Sequence, residues 1–178
     1  MRFWVGIVIP PKCYRKIRSV QEKLSKKYDT NRCMESYIGP HITLTHQPEV
    51  DYKDIGKLEN EVLEISKGMK PFKVRIRGIG KFEYHMVIYA RVLRDSGIIR
   101  LNRDLSSRLK RYGKIKHRQF KPHATLAFFE NSRYQNFKEA FKETKNKGLS
   151  FSFRLEKLSV AKARKNGRLK VYKTLKLQ

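Results

Sequence analysis

Apolar residues change their spacing along this chain in a regular order. Phe3 to Ile9 is a run of β-branched and aromatic residues closed by Pro10-Pro11, which predicts a strand, a turn and the first turn of a helix. Ile17, Val20 and Leu24 then recur at helical spacing as far as Tyr28. Between Met34 and Thr45 the pattern returns to short alternating stretches around Gly39-Pro40, and a second helix is predicted from Tyr52 to Lys67. Pro71 to Ile79 alternates Phe72, Val74 and Ile76 with Lys73, Arg75 and Arg77, the period-2 mark of a half-buried strand with a basic outer face. Met86 to Val92 is a further strand. Ile98, Leu101, Leu105 and Leu109 mark a third helix, with Gly113 placed to end it.

The second half retraces the first. His123 begins a strand, Phe137 and Phe141 suggest a helix, Phe151, Phe153 and Leu155 alternate again, and a last strand is predicted from Leu169 to Leu177. Phe72 to Ile79 and Phe151 to Leu158 share apolar and arginine positions, which reads as internal duplication. Two related copies are too few for a solenoid. The expectation is one α+β domain over residues 1–178, built as two pseudo-symmetric lobes of antiparallel or mixed sheet with outer helices around a central cleft.

Charge narrows the partner. The chain has 178 residues, with Lys+Arg 42 against Asp+Glu 16, a formal net charge of +26. Such an excess concentrates phosphates and releases their counterions on contact, so a nucleic acid leads the candidates. A membrane surface could use the same charge, but no long apolar span, basic amphipathic helix or lipidation signal is legible, and a soluble, cytoplasmic protein is expected. Cys13 and Cys33 sit in lysine-rich segments with no pairing pattern and are read as reduced thiols.

The chemistry is concentrated in one repeated pattern. Pro40-His41-Ile42-Thr43-Leu44 recurs as Pro122-His123-Ala124-Thr125-Leu126, identical at four of five positions. In a strand, residues two apart share a face, so each histidine stands beside its threonine while Ile42 and Leu44, or Ala124 and Leu126, point away. Imidazole titrates near neutral pH and can give or take a proton; a threonine hydroxyl can donate to a phosphate oxygen without adding charge.

These two His-x-Thr units, the Phe120-Lys121-Pro122-His123 lead-in and the N-terminal Phe-Trp-Val-Gly-Ile strand resemble the 2H phosphoesterase superfamily. Within it, the chain is similar to the RNA 2′,3′-cyclic phosphodiesterases also described as 2′-5′ RNA ligases. The resemblance implies two lobes around a cleft, His41 and His123 as the catalytic pair, and Thr43 and Thr125 as phosphate-binding residues. It implies no metal and no cofactor. By the same analogy His41 is the acid and His123 the base, and the substrate is RNA ending in a 2′,3′-cyclic phosphate, tRNA fragments included, acted on by a monomer. The sequence departs from common family patterns after each motif, with Thr45-His46-Gln47 in one copy and Phe128 in the other.

Other basic and histidine positions carry less. Lys110 to Lys121 holds no acid and interleaves aromatics, so Tyr112, Lys114, Lys116, Arg118 and Lys121 are candidate RNA-binding residues ahead of the second motif. A second basic run, Lys157 to Lys176, brackets Asn166-Gly167, a hairpin turn signal. His46 lies an odd number of positions from His41 and is expected on the opposite face. His85 and His117 have no partner at ligand spacing. A non-catalytic RNA-binding protein would share the charge but not require the duplicated motif, and ligation would use the same histidines in reverse.

Overall fold

The computed structural model describes residues 2–30, 38–47, 49–114, 119–130, 133–163 and 169–178. Among the described residues, eight strands and four α-helices follow in the order β1 (Phe3–Val8), α1 (Pro11–Tyr28), β2 (His41–Gln47), α2 (Ile55–Lys67), β3 (Phe72–Phe82), β4 (Val87–Val92), α3 (Ser96–Leu109), β5 (His123–Phe128), α4 (Tyr134–Thr144), β6 (Ser150–Leu155), β7 (Lys157–Ala163) and β8 (Leu169–Lys176). A 3₁₀ turn, Tyr52–Asp54, leads into α2, and another, Lys110–Tyr112, ends α3 short of Gly113. The fold is α+β with two four-stranded sheets, ordered β2-β1-β7-β8 and β5-β4-β3-β6, and every pairing in them is antiparallel.

The two-fold relation is built by exchange. β3, which follows the first motif, pairs in the sheet of the second motif, and β7 near the C-terminus pairs with β1 in the first. The helices cross as well: α1 packs on β5 and β6, and α3 packs on β2. α2 covers β7 and β8, and α4 covers β3 and β4. Apolar stripes such as Ile17 and Leu24 on α1 and Leu101, Leu105 and Leu109 on α3 enter one continuous buried core behind both sheets.

One expected equivalence is redrawn by this exchange. Phe72 to Ile79 and Phe151 to Leu158 do not take matching places in two lobes. β3 and β6 pair with each other in one sheet, with Phe72 opposite Leu155, Val74 opposite Phe153 and Ile76 opposite Phe151. Their shared pattern reflects a shared buried face, since alternation specifies which side of a sheet is buried and not which strand is the neighbour. The turn signal at Asn166-Gly167 lies outside the described residues; β7 and β8 on either side of it pair antiparallel.

Candidate active site

Each His-x-Thr unit lies on the edge strand of its sheet, β2 in one and β5 in the other, and these edges run alongside each other. Burial along them has the same rhythm. His41 and Thr43 are half-buried while Ile42 and Leu44 are in the core; His123 and Thr125 are half-buried while Ala124 and Leu126 are in the core. The helix-covered side holds the apolar residues, so all four motif side chains stand on the open faces.

Both imidazoles are held alike. His41 Nδ1 lies 2.8 Å from the carbonyl of Gly39, and His123 Nδ1 lies 2.8 Å from the carbonyl of Lys121. A carbonyl oxygen only accepts, so Nδ1 is the donor in each ring and Nε2 is the nitrogen left to exchange a proton. In both cases a proline separates the accepting carbonyl from the histidine, and its fixed φ helps define that short turn.

The next residue in each strand is a β-bulge. Val5 faces Thr45 and Gly6 faces Thr43, leaving Leu44 without a counterpart on β1; Ile88 faces Ala127 and Tyr89 faces Thr125, leaving Leu126 without one on β4. The extra residue reverses the parity. His46, expected on the opposite face, therefore returns to the side of His41 and Thr43, opposite Trp4, and exposed Phe128 returns to the side of His123.

An edge strand leaves backbone groups without ladder partners, and here a side-chain amide from the crossing helix meets them. Gln21 Nε2 of α1 donates to the Thr125 carbonyl at 3.0 Å, and Asn102 Nδ2 of α3 donates to the Leu44 carbonyl at 2.7 Å. The two motif strands are thus tied to helices that start in the other lobe.

Around the histidines the two halves differ. In the first, Trp4 Nε1 donates to Thr43 Oγ1 at 2.9 Å, and its ring stands edge-on to His41 with centroids 5.3 Å apart. In the second, Phe82 and Tyr89 stack at 4.4 Å, and both meet His123 edge-on, at 4.9 and 5.4 Å. The Lys121 ammonium lies 5.1 Å from the Phe82 ring and 5.4 Å from the Tyr89 ring, which brings a cation onto the face of His123. Arg91 is directly opposite His123 in the β4–β5 register and is exposed.

Burial lowers the His41 pKa from the ordinary imidazole value, and the bond to the Gly39 carbonyl opposes that only in part. This favours the neutral imidazole, whose lone pair is on Nε2 when Nδ1 donates to Gly39.

Of the expected RNA-binding residues, Lys121 is at the site. Tyr112 packs against the core, with the Arg111 guanidinium over its ring, and Gly113 next to Lys114 sits against Gln47 and Glu49, at the end of β2 away from His41. Lys116, Arg118 and His117 lie outside the described residues, as does Cys33. Cys13 is a buried free thiol. Among the described residues, no group of three or more His, Cys, Asp or Glu side chains is arranged to hold a metal ion, and no helix is long and apolar enough to cross a membrane.

Trp4, Phe82, Tyr89 and Arg91 were not among the candidates read from the sequence. Two glycines within strands mark Trp4 and Tyr89. A Cβ on Gly6 would lie 2.2 Å from Trp4 Cζ2, and one on Gly80 would lie 2.7 Å from Tyr89 Cζ. Strand glycines signal such close approaches.

Two antiparallel sheets related by a pseudo-two-fold, each with a His-x-Thr edge strand, define the 2H phosphoesterase class. The chain belongs to the 2′-5′ RNA ligase superfamily, whose family model matches residues 10–167. Among curated relatives, an RNA 2′,3′-cyclic phosphodiesterase from Archaeoglobus fulgidus is 24% identical over 129 residues, covering 71% of each chain. A protein from Geobacillus kaustophilus, provisionally described as a phosphoesterase, is 26% identical over 171 residues, covering 95% of this chain and 93% of its own. In structure, the chain resembles E. coli LigT crystallised with NADP+, with a TM-score of 0.71 at 20% identity over 99% of this chain and 97% of LigT. Usb1 of Kluyveromyces marxianus shares the fold at a TM-score of 0.56 and 13% identity, over 99% and 98% of the two chains.

Proposed function

We propose that this protein is an RNA 2′,3′-cyclic phosphodiesterase that opens the cyclic phosphate to a 2′-phosphate without a metal. The observation that carries the reading is the matched pair of Nδ1–carbonyl bonds, which leaves Nε2 of both His41 and His123 to move protons on neighbouring strands. One neutral imidazole takes a proton from water as it attacks phosphorus; the other, protonated, donates to the departing ribose 3′ oxygen. Charge gathers on the non-bridging oxygens, where Thr43 and Thr125 donate and Lys121 and Arg91 supply positive potential. The lowered pKa of His41 suits it to be the base in the free protein, which favours the reverse of the roles implied by family analogy. The protein acts as a monomer on RNA ends, tRNA fragments included, in the cytoplasm.

The relative from Archaeoglobus fulgidus bears this activity in its name, and LigT has been crystallised with 3′-AMP, which supports a nucleotide substrate. The superfamily's name favours a second reading, 2′-5′ RNA ligation. There a ribose hydroxyl replaces water, and the same two histidines serve in either direction. The test is incubation of a defined RNA ending in a 2′,3′-cyclic phosphate, with EDTA present, followed by analysis of the ends. A 2′-phosphate product supports the proposal, an untouched end contradicts it, and a longer RNA assigns ligation.

A further inference from the structure

We infer that the open face of β3, β4 and β6 is a track for the single-stranded RNA that leads to the reactive end, gripped through its phosphates and not its bases. This rests on the reading of the site as an RNA phosphoesterase and adds where the rest of the substrate lies. On β3, Val74 and Ile76 are in the core, so Lys73, Arg75 and Arg77 project from the other side of the sheet, and all three are exposed. That is the face of His123. Arg91 is directly opposite His123, and its neighbour Val92 is opposite Ile76 in the core, which puts Arg91 and Arg77 on one face at the β3–β4 bulge. β6 extends the face outward, with Ser150 opposite Arg77, Ser152 opposite Arg75 and exposed Arg154 opposite Lys73.

A path therefore leaves His123, crosses Arg91 to Arg77 over about 10 Å of two strand spacings, and then runs along β3 past Arg75 to Lys73 and Arg154. Successive same-face residues on a strand are about 7 Å apart, roughly twice the 3.4 Å axial step of phosphates in a stacked duplex strand, so the ladder matches an extended single strand. Ser150 and Ser152 add neutral donors between the cations. Asp95 pairs with Arg75 at 2.6 Å, and Glu156 is 3.9 Å from Arg154; among the described residues no carboxylate forms an ion pair with Lys73, Arg77 or Arg91. Solubility would be served by basic residues on any surface. It does not ask for their alignment with His123.

The experiment compares the parent chain with Lys73→Ala/Arg77→Ala/Arg154→Ala and with a charge-matched control, Lys12→Ala/Lys23→Ala/Lys142→Ala, on exposed helix positions. Binding of a short fluorescent single-stranded RNA is titrated across salt concentration, and hydrolysis is followed for a 2′,3′-cyclic mononucleotide and for an oligonucleotide with the same end. Each lost phosphate contact lowers the log–log salt slope by about 0.7, so the β3–β6 triple variant should lose about two units and the control none. Its mononucleotide hydrolysis should stay within about twofold of the parent, while oligonucleotide kcat/KM falls at least tenfold. Equal slopes in the parent and the β3–β6 variant, or equal losses in both variants, would overturn the track. A parent chain that hydrolyses neither substrate would overturn the functional reading, and the salt slopes would still decide where RNA lies.

Discussion

The indole N–H of Trp4 donates to Thr43 Oγ1, so one of the hydroxyl's lone pairs is engaged and its own hydrogen is directed elsewhere. In the proposed reaction that hydrogen meets a phosphate oxygen. Trp4→Phe keeps a ring against His41 and removes only the donor. The expected loss is about 1 kcal/mol, or about fivefold in kcat, with little change in KM. In a Thr43→Ala background the same change should have almost no further effect, and a double-mutant cycle measures this directly. Additive losses would separate the two residues.

Gly6 carries the indole across its own strand. An added methyl there meets the Trp4 ring and also the backbone carbonyl of Ile42 at 2.5 Å, whereas at Gly80 its three nearest neighbours all belong to the Tyr89 side chain. Gly6→Ala is therefore expected to cost about 1–3 kcal/mol and to disturb the His41 side, with Gly80→Ala costing less. Chemical denaturation of both variants tests the order.

The amide bonds from Gln21 and Asn102 hold the motif strands at otherwise open edges. Gln21→Leu or Asn102→Leu leaves a carbonyl short of a partner, with an expected loss of about 1–3 kcal/mol each. An edge-strand carbonyl released this way also invites association between copies. Melting temperature together with light scattering reads both effects.

His41 gives a pH dependence whose sign is set by its lowered pKa. Above about pH 6.5 the ring is neutral in both folded and unfolded chains and costs nothing. As pH falls through that value the unfolded chain takes up the proton first, so stability declines, and the decline ends once the folded-state pKa is passed. His41→Gln should flatten this part of the stability curve, and NMR titration should place His41 below the ordinary histidine value. A titration at or above the ordinary value would contradict the burial argument.

Much of the architecture was legible because its determinants are local. Alternation around Val74 and Ile76 marked β3, the spacing of Leu101, Leu105 and Leu109 marked α3, and the parity within each His-x-Thr unit put histidine and threonine on one face. Partner choice was not legible, since an alternating strand fits several neighbours; this hid the placement of β3 in the second sheet and β7 in the first. The bulges at Leu44 and Leu126 were hidden too, because nothing in a strictly apolar position announces an extra residue, and that sent His46 to the wrong face on paper. Tyr112 looked like a stacking residue in a basic run, yet its ring is partly spent on the core.

In the proposed reaction His41 and His123 act as a proton-transferring pair on a cyclic phosphate. Its most direct test is the turnover of a 2′,3′-cyclic phosphate RNA by His41→Ala and His123→Ala, each checked for unchanged folding, with EDTA present throughout. A loss on the order of 100-fold or more is expected in each variant, with no effect of EDTA on the parent. Full activity in both variants would contradict it.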